Sequence, residues 1–162
     1  MPKTVIVNST PLIALSSINQ LALLRELYDI IIIPNAVKTE IEAKNGSKAH
    51  KDLELHSEWI HIKEIKNINQ KHIFKTQLHD GEVEVMILGQ ELNADLLIID
   101  DYVAREYVKY LGFKVVGTVG ILLKAKATGL INEVKPLLDK LVTNGIYISE
   151  RLYAEVLKTA DE

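Results

Sequence analysis

A chain of 162 residues with a formal net charge of −3, 48% apolar and 25% charged residues, is long enough for one core and is read as a single domain over residues 1–162, not a disordered or fibrous chain. Having no cysteine, it is excluded from disulfides, thiolate metal sites and thiol redox chemistry. Its longest aliphatic run, Ile30 to Ile33, is far too short to cross a bilayer, and MPKTVIVNSTP has no apolar stretch of signal-peptide type, so a cytoplasmic protein without membrane contact is expected.

In chain order, Thr4 to Val7 reads as a buried strand. Asn8 to Pro11 then turn into a helix, with Thr10 as N-cap, Pro11 as first helical residue and Leu12, Ile13 and Leu15 as the apolar face. Ser17 and Gln20 have capping-box spacing for a second helix through Leu21, Leu24 and Leu27. The β-branched run Ile30 to Ile33, closed by Pro34, predicts a second strand, and Asn35 caps a helix that contains Glu40 and stops near Asn45 and Gly46. Residues 47–75 are polar and rich in lysine, and only an alternating patch at Trp59 to Ile65 stands out, as an edge strand. A helix over 81–92, a strand over Asp95 to Ile99 and a helix beyond Asp101 follow. Lys114 to Val116 forms another strand, and helices run from about Thr118 to Gly129, from Asn132 to Val142 and onward from a Ser149 cap. Short strands alternating with helices imply a mainly parallel sheet covered on both faces.

The window from His79 to Val108 is the most informative. Between Lys75 and Arg105 it carries seven acids (Asp80, Glu82, Glu84, Glu91, Asp95, Asp100 and Asp101) and no Lys or Arg. A helix over 81–92 covers roughly 18 Å, and a strand over 95–99 returns about 17 Å. These matched lengths bring Asp80 or Glu82 to the edge that carries Asp100 or Asp101. Carboxylates about 4 Å apart repel by about 4 kcal/mol at an effective dielectric of about 20, so such a cluster needs protons, solvent or bound cations. In open parallel sheets ligands bind beyond the carboxyl ends of the strands, and Asn8, Glu40, Glu82 and Asp100 all project toward one such edge.

An all-oxygen set without sulfur or paired imidazole suits Mg²⁺ or Mn²⁺ and metal-assisted phosphodiester chemistry. Plainer roles compete for each acid. Asp80 suits a helix N-cap, Glu82 and Glu84 suit a helix dipole, and Asp101 suits a cap that pairs with Arg105. Asp100 follows four aliphatic residues at the mouth of the core, where a merely solvated role fits least. The five histidines lack HExxH spacing, GTVG at 117–120 lacks the phosphate-loop patterns, and no GxSxG elbow occurs. A receiver-type acidic pair would follow the first strand, which ends instead in Asn8. From Arg105 to Lys140, seven basic residues face three acids, a flank able to hold a phosphate backbone or simply to face solvent.

Taken together, NSTPLIAL at 8–15, IPNAVKTEI at 33–41, DGEVEVMIL at 80–88 and ADLLIIDDYVAR at 94–105 resemble, in order, the motifs of the PIN domains. The likeness is to a prokaryotic PIN-like subgroup related to toxin–antitoxin ribonucleases, and GTVGILLKAK and the terminal helix match as well. The resemblance implies a three-layer α/β/α sandwich and a metal-dependent endoribonuclease, often the toxin of a toxin–antitoxin pair. It implies Glu40, Glu82 and Asp100 as catalytic acids, and Asn8, Glu40, Glu82, Asp100 and Asp101 as ligands of Mg²⁺ or Mn²⁺. RNA contacts are expected from Ser9, Thr10, Arg105 and Lys109, and the expected partners are RNA, a small antitoxin and a second copy of the chain. Asn8 stands where most of the family has its first aspartate. An amide oxygen can ligate a cation but carries no charge and cannot act as a base, so the alternative is a catalytically weak module that binds RNA or a protein.

Overall fold

The computed structural model describes residues 2–74 and 78–162. Five parallel strands form one sheet: β1 (Val5–Val7), β2 (Ile31–Pro34), β3 (Ile60–Lys63), β4 (Leu96–Ile98) and β5 (Val115–Val116), in the order β3-β2-β1-β4-β5. The central strands β1 and β4 are wholly buried, as purely aliphatic sequences covered on both faces require.

Ten helices are described: α1 (Ser9–Ser17), α2 (Ala22–Tyr28), α3 (Asn35–Glu42), α4 (Lys48–Leu55), α5 (Ile68–Phe74), α6 (Asp80–Leu92), α7 (Tyr102–Tyr110), α8 (Thr118–Ala127), α9 (Lys135–Thr143) and α10 (Glu150–Thr159). The right-handed rule for crossovers between parallel strands assigns the connections from β1 through β3 to one face and those from β3 through β5 to the other. The result is a three-layer α/β/α sandwich. α8 joins the first layer by packing on α1, α2 and α10, whereas α6 lies on β1, β2 and β4 and touches α3 and α5.

The direction of winding reverses at β1. The chain steps from β1 outward to β2 and β3, then returns to pair β4 on the other side of β1 in the register Val5↔Leu96, Ile6↔Leu97 and Val7↔Ile98. Asn8 and Asp100 therefore leave neighbouring strand ends at the switch point, where such sheets form their ligand crevice. The Asn8 N–H donates to Ile98 O at 2.9 Å, which ties the two ends together.

Several helix starts differ from the sequence reading. α1 begins one residue before Thr10, with Asn8 at the N-cap position; the Asn8 backbone N–H pairs with β4, and its side chain makes no cap bond. α2 is entered through Leu21 without the Ser17 capping box, and the Ser17 hydroxyl donates back to Ala14 O. Pro34, not Asn35, precedes α3, which ends at Glu42. His79, not Asp80, occupies the N-cap of α6. Asp101 and Ser149 do cap their helices, accepting from Ala104 N and Leu152 N. The expected edge strand is β3, on β2. The polar stretch around it also holds α4 and α5, and its last residue, Lys75, lies outside the described residues.

Candidate active site

Residues 81–89 of α6 are buried on every side, so Glu82 and Glu84 both enter the interior from one helix. A buried carboxylate is costly unless paired or protonated. Glu84 is paired. It accepts from Lys71 Nζ at 2.6 Å and from the Ala36 N–H at 3.0 Å, which ties α5 and the start of α3 to α6. That hydrogen bond raises the Lys71 pKa above its ordinary value.

Among the described residues no lysine or arginine pairs with Glu82, which has only the nearby His79. Burial pushes its carboxyl pKa upward, and the nearby Asp101 and Glu40 carboxylates push it further, against the pull of His79. A carboxyl group held toward its neutral form by burial and like charge, at the mouth of a crevice, makes Glu82 a candidate functional position.

Glu40 arrives from α3. Its Oε1 accepts from the Gly81 N–H at 2.9 Å and its Oε2 from the Ser9 hydroxyl at 2.5 Å, so α1, α3 and α6 are clamped around one carboxylate. Asn8 is 4% exposed, and its Oδ1 is buried without a hydrogen-bond partner among the described residues. A methyl group on Gly81 would sit 2.5 and 2.9 Å from the Glu40 oxygens and 3.0 Å from Asn8 Oδ1. The two side chains thus face the same space, which exists because residue 81 has no Cβ. Asn8, Ser9, Thr10, Glu40, His79, Asp80 and Glu82 line this cleft, of about 570 Å³.

Asp100 is turned elsewhere. Its Oδ1 accepts from the Thr118 N–H and its Oδ2 from the Thr118 hydroxyl, each at 2.6 Å, so its carboxylate closes the N-terminus of α8. Asp101 is exposed, caps α7 and reaches the site through its field on Glu82. Of the expected RNA contacts, Ser9 is committed to Glu40, Thr10 is exposed in the cleft, and Lys109 is exposed beside Glu106 at 3.2 Å. Arg105 is half-buried and makes no ion pair with Asp101 or any other described residue. It lines a second groove of about 510 Å³ that also contains Asp100 and Thr10, so Thr10 borders both cavities.

The family model of the PIN domain matches residues 4–162. The chain belongs to the PIN-domain family. A search of curated proteins finds no match. A PIN domain has a nuclease-type fold, PIN domains are generally nucleases, and they usually use divalent metals.

The oxygens in this PIN domain's cleft fit a hard cation. The orphaned amide oxygen of Asn8 and the carboxylates of Glu40 and Glu82 resemble the sparse protein donors with which Mg²⁺ is commonly held, waters and substrate phosphates completing its shell. Among the described residues no three His, Cys, Asp or Glu side chains group closely enough to hold an ion by themselves. Two reasons are visible: the first position is an amide, and Asp100 is spent on Thr118. Gly81 and His79 are site elements that the sequence reading did not single out. A glycine inside the first turn of a helix, where it is unfavourable, was the available signal for Gly81.

Proposed function

We propose that this PIN domain is an endoribonuclease dependent on Mg²⁺ or Mn²⁺, with Asn8, Glu40 and Glu82 holding the ion. The observation that carries this reading is Glu82, a buried acid with no lysine or arginine partner among the described residues, which shares a cleft with Glu40 and with an Asn8 Oδ1 that has no partner among them. A bound divalent ion would lower the pKa of a water and offset charge developing on the phosphodiester. Ser9 and the Gly81 N–H fix the Glu40 carboxylate, and Gly81 leaves the cleft open above it. Asp101 and Glu40 raise the proton affinity of Glu82, which gains most from a nearby cation. Asp100 acts as a positioning residue through Thr118, with its ligand role conditional on leaving α8.

The toxin role and a small antitoxin partner, which the resemblance implies, and a homodimer belong to the same proposal. Growth arrest on expression, relieved by co-expressing a neighbouring small reading frame, tests them. A second reading, a weak or inactive module that binds RNA or a protein, is motivated by Asn8. Cleavage of a mixed-sequence RNA with Mn²⁺, by the natural chain and by Asn8→Asp, separates the two. Cleavage by the natural chain, little changed by the substitution, supports the enzyme; cleavage that appears only with Asn8→Asp supports the module.

A further inference from the structure

The second groove is lined by β5, the start of α8 and residues of α9, α10 and the segment between them, with Leu123, Leu141 and Val156 along its wall, Tyr147 and Arg105 lining it as well, and Thr10 joining it to the acidic cleft. Arg105 is the unusual member. Its guanidinium is half-buried, and no ion pair or side-chain hydrogen bond holds it among the described residues. Asp100 and Glu155 lie in the same groove, but Thr118 occupies both oxygens of Asp100 and Arg151 donates to Glu155 at 3.1 Å. Gly117 keeps the approach clear, since a Cβ there would lie 3.3 Å from Arg105 Nη1 and 2.7 Å from Asp100 Oδ1. Tyr147 is 88% exposed and offers a ring face to solvent.

We propose that this groove binds one nucleotide of single-stranded RNA next to the cleavage position, its phosphate on Arg105 and its base against the apolar wall and Tyr147. The assignment deepens the nuclease reading and rests on it for the identity of the polymer. Charge complementarity selects the occupant: an unpaired guanidinium beside an apolar wall matches an anion joined to a flat hydrophobic ring. Continuity with the cleft through Thr10 matches a ligand that extends along both cavities. A duplex buries its base faces, so the groove selects single strands.

The test is fluorescence anisotropy with a labelled six-nucleotide single-stranded RNA in EDTA, where cleavage does not intrude, using the full chain, Arg105→Ala, Arg105→Lys and Tyr147→Ala. Arg105→Ala is expected to weaken binding about tenfold and to reduce the salt slope by about one, with Arg105→Lys in between. Tyr147→Ala is expected to weaken the single strand about fivefold or more and to leave duplex binding unchanged. Adenosine 5′-monophosphate added to isotope-labelled natural protein should shift the amide signals of Gly117, Val119 and Tyr147, a readout independent of how the variants fold. Full affinity in a folded Arg105→Ala, or nucleotide shifts confined to residues outside the groove, overturns the assignment. So does a groove that ignores RNA and takes up only a protein partner. Groove binding by a chain that cleaves nothing refutes the nuclease reading alone, whereas cleavage with KM unchanged in Arg105→Ala refutes the groove alone.

Discussion

Gly81→Ala probes the site with a single methyl group. That carbon would lie 2.5 Å from one Glu40 oxygen, 2.9 Å from the other and 3.0 Å from Asn8 Oδ1. Ordinary contact needs about 3.5 Å, so the Glu40 carboxylate must withdraw by about 1 Å. The withdrawal strains the bonds from Ser9 Oγ and the Gly81 N–H, and hydrogen bonds to a charged group contribute about 1.5–3 kcal/mol each. Glu40 is only half-buried, so water replaces much of that loss, and alanine returns up to about 1 kcal/mol of helix propensity. The net change in stability should stay within about 1–2 kcal/mol, a shift of a few degrees in Tm. Function should suffer more, because a misplacement of about 1 Å can reduce catalysis about a hundredfold. Thermal unfolding, a Mn²⁺ titration and an RNA cleavage assay on one preparation measure all three. A folded Gly81→Ala that binds Mn²⁺ and cleaves like the natural chain would refute the placement of the ion between Glu40 and Asn8.

Glu82→Gln tests the electrostatics. Burial, Asp101 and Glu40 raise the folded-state pKa above the ordinary 4.5, so Glu82 favours the fold fully below about that pH and loses this contribution as pH rises through its raised value. The substitution should therefore raise Tm at pH 7–8, leave it nearly unchanged near pH 4, and remove metal binding; equal Tm differences at both pH values would contradict this. Asp100→Ala deprives the buried Thr118 of two acceptors and should cost about 2–3 kcal/mol in urea unfolding, with Asp100→Asn losing less; an Ala variant as stable as the natural chain would show that Asp100 does not position α8. Lys71→Met strands the Glu84 charge and should cost about 3 kcal/mol, most of it recovered by adding Glu84→Leu; losses that simply add would argue against the pair.

β1, β2 and β4 were legible because they are short aliphatic runs punctuated by Asn8, by Pro34 and by the acid pair at 100–101, whereas β3, at the edge and mostly exposed, showed only as an alternating patch. α5 was not legible because none of its residues is buried, so it has no apolar periodicity, and it meets α6 through Lys71 and Gln70. α4 turns a buried Asp52 inward, answered by Ser16 and Lys48, so a polar residue stands where an apolar one would signal a helix. In the site, Asn8 and Glu82 could be placed from element ends and Glu40 from its place in the helix after β2, whereas Asp100, expected at the same edge, is turned to Thr118. The partners of the other acids could not, because most are backbone N–H groups. Glu91 accepts from Lys66 N, Asp95 from Lys3 N and Thr4 N, Asp101 from Ala104 N, and Asp100 from Thr118. A run of acids without nearby lysine or arginine is therefore less uncompensated than its charge suggests, and Glu82 stands out only once these partners are known.

The most direct measurement is a Mn²⁺ titration of the natural chain, Glu40→Gln and Glu82→Gln, followed by electron paramagnetic resonance and paired with RNA cleavage on the same samples. The expected result is one ion per natural chain, lost or strongly weakened in both variants, with cleavage falling in step. Unchanged Mn²⁺ affinity in both folded variants would contradict a metal site built on Asn8, Glu40 and Glu82.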